Sequence, residues 1–331
     1  MSKLHTLGGW LRRFLTEHIV TERNLARNTQ LGYRDCFFLL LPFVADRIRK
    51  PVDRLALDDL TGQRVLQFLD HLEEERKCTV QTRNQRLAAV RAFARYVASR
   101  DPAQVEWSGH IRAIPLKKAI RKPIDWLDLD EMDVLLEVPD RSTPRGRMEY
   151  ALLLFLYNTG ARVSEATGLK VKDLQIQRRD GKHPLVSIHG KGGKHRQCPL
   201  WPRTGKVLAE LLRGRSPDDA VFLSRQNRPY TRSGAYRLVE RCAKQVPSLS
   251  GRKITPHSIR HTAACHLLQA KVDLNTIRAW LGHESLDTTN LYAEIDFDSK
   301  ARAMALCDAS KPGPDRPLKE DKGLMAFLES L

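Results

Sequence analysis

Four short segments between residues 159 and 292 place cationic or hydrogen-bonding side chains beside predicted helix or turn boundaries. Guanidinium groups are suited to holding a phosphate, imidazole can accept a proton, and a phenol oxygen can act as a nucleophile. In chain order the segments are residues 159–165 with Arg162, the turn around Lys191, residues 255–261 with His257 and Arg260, and Leu281-Gly282-His283 with Tyr292 nine residues later.

Local sequence signals indicate where these side chains lie on their elements. Gly160 is predicted to end one helix, so that Arg162 lies at the start of the next. Thr255-Pro256 supplies a helix cap and a first-turn proline, which places His257 and Arg260 on one face near the positive helix end.

No metal site is predicted. His257 and His261 are spaced as in a zinc-protease helix, but Ser258 occupies the place of the required Glu. The six cysteines are scattered without a Cys-x-x-Cys pair, and there is no acidic metal-binding cluster. We therefore expect neither a metal nor another cofactor, and no disulfide framework, as in a reducing cytoplasm.

Apolar spacing predicts a helical region over residues 1–100. Two apolar stripes are Val65, Phe68, Leu69 and Leu72, and then Leu87, Val90, Ala94 and Val97. The arginines of the last helix have no acids interspersed among them, so they either contact DNA phosphates or form a solvated face. These are Arg83, Arg86, Arg91, Arg95 and Arg100.

Residues 101–125 are predicted to form an interdomain linker, because prolines and Ser108-Gly109 interrupt the helical pattern. Between Ile111 and Pro123 the chain has five basic residues and no acid. They are Arg112, Lys117, Lys118, Arg121 and Lys122. This segment either lies along a phosphate backbone or is an ordinary solvated linker.

The second domain is predicted over residues 126–307, with helices on both sides of a small antiparallel sheet. The strands fall near residues 173–177, 183–189 and 195–200, with glycine-rich turns between them. Residues 308–331 form a proline-containing tail that ends in a short helix with Leu324, Phe327, Leu328 and Leu331 on one stripe. The predicted fold class is mainly α with a small antiparallel β-sheet.

The net charge of the 331-residue chain is +17, which favours a polyanionic partner such as nucleic acid. Its longest apolar run, residues 37–45, is interrupted by Pro42 and is too short to span a bilayer. The first residues lack the apolar core and cleavage site of a signal peptide. We expect a cytoplasmic protein that has no membrane partner.

Taken together and in this order, the four segments resemble the tyrosine recombinase (phage integrase) family, and are most similar to its Xer-like bacterial branch. The strongest matches are Thr-Gly-Ala-Arg-Val-Ser-Glu, His-Ser-Ile-Arg-His, and Leu-Gly-His with Thr-Thr-Asn-Leu-Tyr. The resemblance covers nearly the whole chain. It implies an N-terminal helical core-binding domain, a basic linker and an α/β catalytic domain.

The resemblance also implies a role for each matching position. Arg162 and Arg260 would hold the phosphate, Tyr292 would be the nucleophile, and His257 would accept its proton. Lys191, or Lys194 in the same turn, would be the general acid. His283 would hydrogen-bond the phosphate, and Glu165 matches a supporting acidic position.

The implied partner is double-stranded DNA at specific recombination sites, held by a C-shaped clamp on the bacterial nucleoid. Four protomers would act on two DNA sites, alone or with related recombinases. The terminal helix would dock on a neighbouring protomer, or else fold back on its own domain.

Two other activities, and the biological role of a recombinase, remain open within the resemblance. A type IB topoisomerase shares the same chemistry, and a regulator on the same fold would bind DNA without cutting it. The family also includes integration, transposition and dimer resolution. Dimer-resolution proteins are usually shorter, near 300 residues by resemblance, so the length of this chain favours a mobile-element integrase.

Overall fold

A computed structural model describes residues 6–119, 125–176, 183–190 and 193–282. The chain divides into two compact units between Lys122 and Pro123, and each unit has its own apolar core. The predicted fold class is confirmed, since the described chain is mostly helical with one small antiparallel sheet. Among the described helices, none is long and apolar enough to cross a membrane.

The amino-terminal unit is built from helices over its described residues. They are α1 (Leu7–Arg13), which continues as a π-helical segment (Phe14–Glu22), α2 (Arg27–Arg47), α3 (Gly62–Glu74), α4 (Val80–Arg100) and α5 (Val105–Ala113). The hydroxyls of Thr61 and Thr79 accept backbone N–H bonds at the starts of α3 and α4. The stripe predicted for α3 is buried in the core.

Aromatic side chains form the centre of this core. The ring of Phe93 on α4 lies 5.4 Å from that of Phe14 and 5.2 Å from that of Phe37. All three side chains are almost fully buried. Such edge-to-face contacts add to the stabilisation that burial alone provides, so they fix α2 and α4 around the π-helical segment.

The predicted linker does not begin at Asp101, because residues 105–113 form α5 and pack on α4. Trp107, Ile111 and Ile114 recur at helical spacing and face the core, and the last two are buried. The prolines that suggested a linker lie at the two ends of this segment, where a helix tolerates them. The apolar stripe therefore outweighs Ser108-Gly109, and Ser108 itself is buried.

The predicted solvated arginine face of α4 is wrong for Arg83, and two further members, Arg86 and Arg91, are only partly exposed. Arg83 is 2% exposed, and its guanidinium donates to the carbonyl oxygen of Pro115. Arg86 donates to the carbonyl of Gly32, and Arg91 to that of Ile114. All three side chains tie α4 to neighbouring backbone; Arg83 is too deeply buried to contact a phosphate, whereas Arg86 and Arg91 stay partly exposed.

The other basic side chains that were predicted to contact DNA are exposed, in so far as the structure describes them. Exposed basic side chains are Arg95, Arg100, Arg112, Lys117 and Lys118. Lys117 pairs with Glu73 at 2.6 Å, and Arg100 pairs with Glu22. Exposed pairs of this kind are weak, so a phosphate can compete for these cations. Arg121 and Lys122 lie outside the described residues.

Helices also dominate the described part of the carboxy-terminal unit. They are α6 (Leu129–Glu137), α7 (Pro144–Thr159), α8 (Val163–Thr167), α9 (Pro202–Leu211), α10 (Arg232–Ala243), α11 (Pro256–Gln269) and α12 (Leu274–Leu281). The second half of α7 is buried around its whole circumference, and it packs on α9 and α11. A helix that is apolar on all sides forms the centre of a domain.

Three antiparallel strands follow α8, in the order β1 (Leu174–Gln175), β2 (Leu185–His189) and β3 (His195–Pro199). The register pairs His189 with His195, and the backbone N–H of Gly190 donates to the carbonyl of Lys194 at 2.7 Å. The chain therefore reverses its direction between β2 and β3. Lys191 belongs to this reversal in sequence, but it lies outside the described residues.

Candidate active site

The end of α7 depends on a left-handed glycine. Gly160 has a φ of 56°, and a Cβ added there would lie 2.4 Å from the side chain of Leu281. Only glycine combines this backbone conformation with so close a contact. After this turn Ala161 stays buried in the core, and Arg162, which is partly exposed, becomes the N-cap of α8.

Arg162 and Glu165 lie together at the start of α8. The Arg162 guanidinium donates to Glu165 at 3.0 Å, and its backbone N–H donates to the same carboxylate at 2.9 Å. Burial alone would raise the pKa of Glu165, but hydrogen bonds from Arg196 and Arg162 outweigh it and hold the pKa below its usual value. Glu165 is therefore a carboxylate at neutral pH and can orient both cations.

Arg260 lies one turn into α11, where the predicted Thr255 cap and Pro256 are both present. Its side chain is 3% exposed. One terminal nitrogen donates to the carbonyl of Gly160 at 2.6 Å, and the other to that of Leu281 at 2.8 Å. The guanidinium thus joins the end of α7 to the end of α12.

Three arginines converge on consecutive carbonyls at the end of α12. Arg260 binds Leu281, Arg162 binds Gly282 at 3.3 Å, and Arg196 binds Trp280 at 2.9 Å. The positive charges complement the negative end of the helix dipole. The chain continues from Gly282 directly into His283.

Arg196 was not among the predicted site residues. It lies on β3, and one terminal nitrogen also donates to Glu165 at 2.8 Å. The signal that could have indicated it is its position two residues after Lys194, on the strand that leaves the predicted lysine turn.

His257 and His261 form a pair on α11. Their Nε2 atoms are 2.8 Å apart, so one ring donates and the other accepts. Burial, together with the charge of Arg260, lowers the pKa of both rings, and that of His261 falls to about 4. His257 remains exposed, so a neutral imidazole is accessible at neutral pH.

Of the six predicted catalytic positions, the structure brings together Arg162, His257 and Arg260. The other three, Lys191, His283 and Tyr292, lie outside the described residues. Gly190, which precedes Lys191, and Gly282, which precedes His283, both lie beside the Arg162–Glu165 pair. A Cβ on Gly190 would be 3.6 Å from a carboxylate oxygen of Glu165, and the carbonyl of Gly282 binds Arg162. In the part of the chain that the structure describes, no cluster of three metal-ligating side chains occurs.

Comparisons with known proteins identify the family. The model of the phage integrase family matches residues 125–299, a range that includes all six predicted positions. Integrase/recombinase y4rC of Sinorhizobium fredii is 36% identical, with full coverage of both chains. Tyrosine recombinase XerC of Pelobacter propionicus is 31% identical over 92% of this chain and 96% of its own.

Solved structures agree at the level of the fold. The XerH site-specific recombinase, in a pre-cleavage complex with its difH substrate, has a TM-score of 0.68 and is 22% identical. The match covers 91% of this chain and 94% of that one. The chain therefore belongs to the phage integrase family and is a tyrosine-type site-specific recombinase, which confirms the resemblance seen in the sequence.

Proposed function

We propose that this protein cuts and rejoins DNA at specific sites through a 3′-phosphotyrosine intermediate, in order to integrate or transpose a mobile element. One observation supports the chemistry most strongly. Arg162 and Arg260 converge on the end of α12, from which the chain runs into His283 and then to Tyr292.

The two arginines are suited to clamping the reacting phosphate. Attack by an oxygen builds negative charge on the phosphoryl oxygens, and guanidinium groups carry permanent positive charge. The Arg162 side chain is 41% exposed, and its described bonds use only two of its five N–H donors. Arg260 is fixed by the carbonyls it binds before any DNA arrives. One preorganised donor of this kind contributes about 10²–10³ in rate.

Cleavage exchanges one phosphate ester for another. The phenol oxygen of Tyr292 bonds to phosphorus, and the bond between phosphorus and the 5′ oxygen breaks. The phenol proton passes to His257, whose lowered pKa leaves it neutral and able to act as a base. Lys191 gives a proton to the leaving 5′ oxygen, with Lys194 as the alternative in the same turn. A 5′ hydroxyl of another strand then reverses the step and releases Tyr292.

Two further residues support this exchange. We assign His283 to a hydrogen bond with the phosphate that helps to place Tyr292. Glu165 is a supporting residue, because it holds the guanidinium of Arg162. The proposed mechanism uses no metal or other cofactor, since Arg162 and Arg260 supply the positive charge at the phosphate and the neutral His257 accepts the proton.

Double-stranded DNA is the proposed partner, and exposed basic side chains would hold its backbone. These are Arg95, Arg112, Lys117 and Lys118, followed in the chain by Arg121 and Lys122. The net charge of +17 supports this assignment, as does the substrate-bound state of the XerH neighbour. Each neutralised phosphate releases counterions, so we expect binding to weaken steeply with salt.

The proposed assembly is a homotetramer on two synapsed sites, alone or with related recombinases. The stripe of Leu324, Phe327, Leu328 and Leu331 would dock on a neighbouring protomer. We expect a chain that is truncated after Pro317 to cleave DNA but to lose synapsis in a native gel. Synapsis at the full-length level would contradict the docking role.

Integration or transposition is supported by the end-to-end match with integrase/recombinase y4rC. Dimer resolution is the second candidate, because XerC is 31% identical over most of this chain. Mapping covalent cleavage sites across the host genome separates the two. Sites at the ends of a mobile element support the first, whereas one site on the chromosome supports the second.

A nicked suicide substrate tests the reaction itself. Cleavage beside the nick releases a short fragment, so the covalent adduct accumulates and can be counted on a denaturing gel. We expect an adduct that depends on the site sequence. A regulator would bind DNA and form no adduct, and a topoisomerase would relax supercoiled plasmid as a monomer without site preference.

A further inference from the structure

Arg196 joins two parts of the candidate site that are far apart in the sequence. Its Nε donates to the carbonyl of Trp280, 84 residues away, and a terminal nitrogen donates to Glu165, 31 residues away. Its side chain is 11% exposed and that of Glu165 only 4%. A charge-assisted bond that is so well shielded from water restricts the movement of both partners.

Packing around the end of α12 gives a second, independent observation. Gly282 has a φ of 67°, and a Cβ added there would lie 3.0 Å from a terminal nitrogen of Arg196 and 3.2 Å from its Cδ. The Arg196 side chain therefore fills the space directly beneath the turn. The backbone from Trp280 to Gly282 rests on this side chain while Arg162 and Arg260 bind the adjacent carbonyls.

From these contacts we infer that Arg196 is a positioning residue for cleavage, an inference that rests on the recombinase chemistry proposed above. Through Glu165 it sets the guanidinium of Arg162. Through Trp280 it sets the point from which the chain enters His283. Its effect is therefore on the groups that hold the phosphate, and its own guanidinium does not touch the DNA.

The planar fork of arginine is required for this role. Nε and a terminal nitrogen reach a carbonyl and a carboxylate at the same time, which a single ammonium cannot do. Arg196→Lys keeps the charge beside Glu165 but loses one of the two links. Arg196→Gln loses the charge and the fork together.

Arg215 offers a matched control in the same unit. It also donates to two backbone carbonyls, those of Ala220 and Val221, and its side chain is 16% exposed. None of these partners belongs to the candidate site. Arg215→Gln therefore removes bonds of the same kind, so it measures what a merely structural loss does to cleavage.

The experiment measures single-turnover cleavage of a nicked suicide substrate at saturating enzyme, together with the Kd for the same DNA. Misplacing a reacting group by about 1 Å can cost about 10²-fold in rate. We expect Arg196→Gln to lower the cleavage rate about 10²-fold, Arg196→Lys at least about 10-fold, and both to leave Kd within about 2-fold. Arg215→Gln should cleave at the wild-type rate.

A substrate with sulfur in place of the bridging 5′ oxygen distinguishes a residue that positions the phosphate from one that donates a proton to the leaving group. The sulfur leaves as a thiolate and needs no proton. A variant that lacks a residue acting on the phosphate should still cleave this substrate slowly. We therefore expect the rate defects of both Arg196 variants to persist. A lysine variant that lacks the general acid should recover on it.

Several results would overturn the assignment. Wild-type cleavage by Arg196→Lys and Arg196→Gln, a loss confined to Kd, recovery on the sulfur substrate, or an equal loss in Arg215→Gln would each do so. If the wild-type chain itself forms no adduct, the proposed function fails instead, and the two failures are thus distinguishable.

Discussion

Replacing Arg162 or Arg260, the two arginines of the proposed clamp, should lower the cleavage rate similarly but lower the free energy of unfolding by different amounts. Arg260 is buried, and it supplies donors to the carbonyls of Gly160 and Leu281 at 2.6 and 2.8 Å. Arg260→Ala leaves both buried acceptors without these donors, and each such loss costs about 1–3 kcal/mol. We therefore expect the free energy of unfolding to fall by about 3 kcal/mol.

Arg162→Ala should cost far less stability. The Arg162 side chain is 41% exposed, its bond to the carbonyl of Gly282 is 3.3 Å long, and Glu165 keeps its pairing with Arg196. Partly exposed pairs contribute about 0–1 kcal/mol, so we expect a loss of less than about 1 kcal/mol. The loss of cleavage rate should nevertheless be about 10²–10³-fold for both variants.

Urea unfolding followed by circular dichroism at pH 7 gives the stabilities, and a constant slope with urea indicates that the unfolded states are comparable. Single-turnover cleavage of a nicked substrate gives the rates. If Arg162→Ala destabilises the protein as much as Arg260→Ala, the described contacts are wrong. If either folded variant cleaves at the wild-type rate, the arginine that it lacks is not part of the clamp.

The remaining predictions concern the base, the turn and the DNA-binding surface. Because burial and Arg charges depress the pKa of His257, the cleavage rate should be flat between pH 6.5 and about 8.5, below the range in which a lysine general acid loses its proton. The rate should fall below pH 6.5, and His257→Gln should abolish this fall. Gly160→Ala should lower the free energy of unfolding by about 2–4 kcal/mol, because φ is 56° and the Cβ would lie 2.4 Å from a methyl carbon of α12. Gly214→Ala, with φ of 76° and nothing within 4 Å, should cost only about 1 kcal/mol. Lys118→Ala should reduce the slope of log Kd against log salt by about one, whereas Arg83→Ala should reduce stability and leave the slope unchanged.

Each of these predictions has a contrary result. A cleavage rate that decreases as the pH is lowered from 8 to 7 would contradict a neutral His257. If Gly160→Ala and Gly214→Ala lower the free energy of unfolding in urea equally, close packing of Gly160 against Leu281 does not contribute. A salt slope that changes with Arg83→Ala and not with Lys118→Ala would restore the original interpretation of the α4 face.

Local signals explain what the sequence could predict. Thr255-Pro256 caps α11, and Gly160 ends α7, because each depends only on its own backbone conformation and neighbouring residues. The antiparallel pairing of β2 with β3 agrees with the glycine-rich turn predicted between them from the sequence. Arg162 and Arg260 were predicted because they stand immediately beside such signals.

Long-range partners explain what it could not. The carbonyl that Arg83 binds is 32 residues away, and the one that Arg86 binds is 54 residues away, so an apparently solvated face turned out to be partly buried. Arg196 was overlooked for the same reason, since its partners are 31 and 84 residues away. Periodicity indicates which face of a helix is apolar, but it cannot show which distant backbone groups a cation will satisfy.

The most direct test of the whole account is the covalent adduct formed by Tyr292→Phe with a nicked suicide substrate. The phenol oxygen is the only atom of the side chain that the substitution removes. We predict no adduct on a denaturing gel and a DNA Kd within about 2-fold of wild type, because phosphate contacts supply most of the affinity. An adduct from the Phe variant at the wild-type level would contradict the assignment of Tyr292 as the nucleophile.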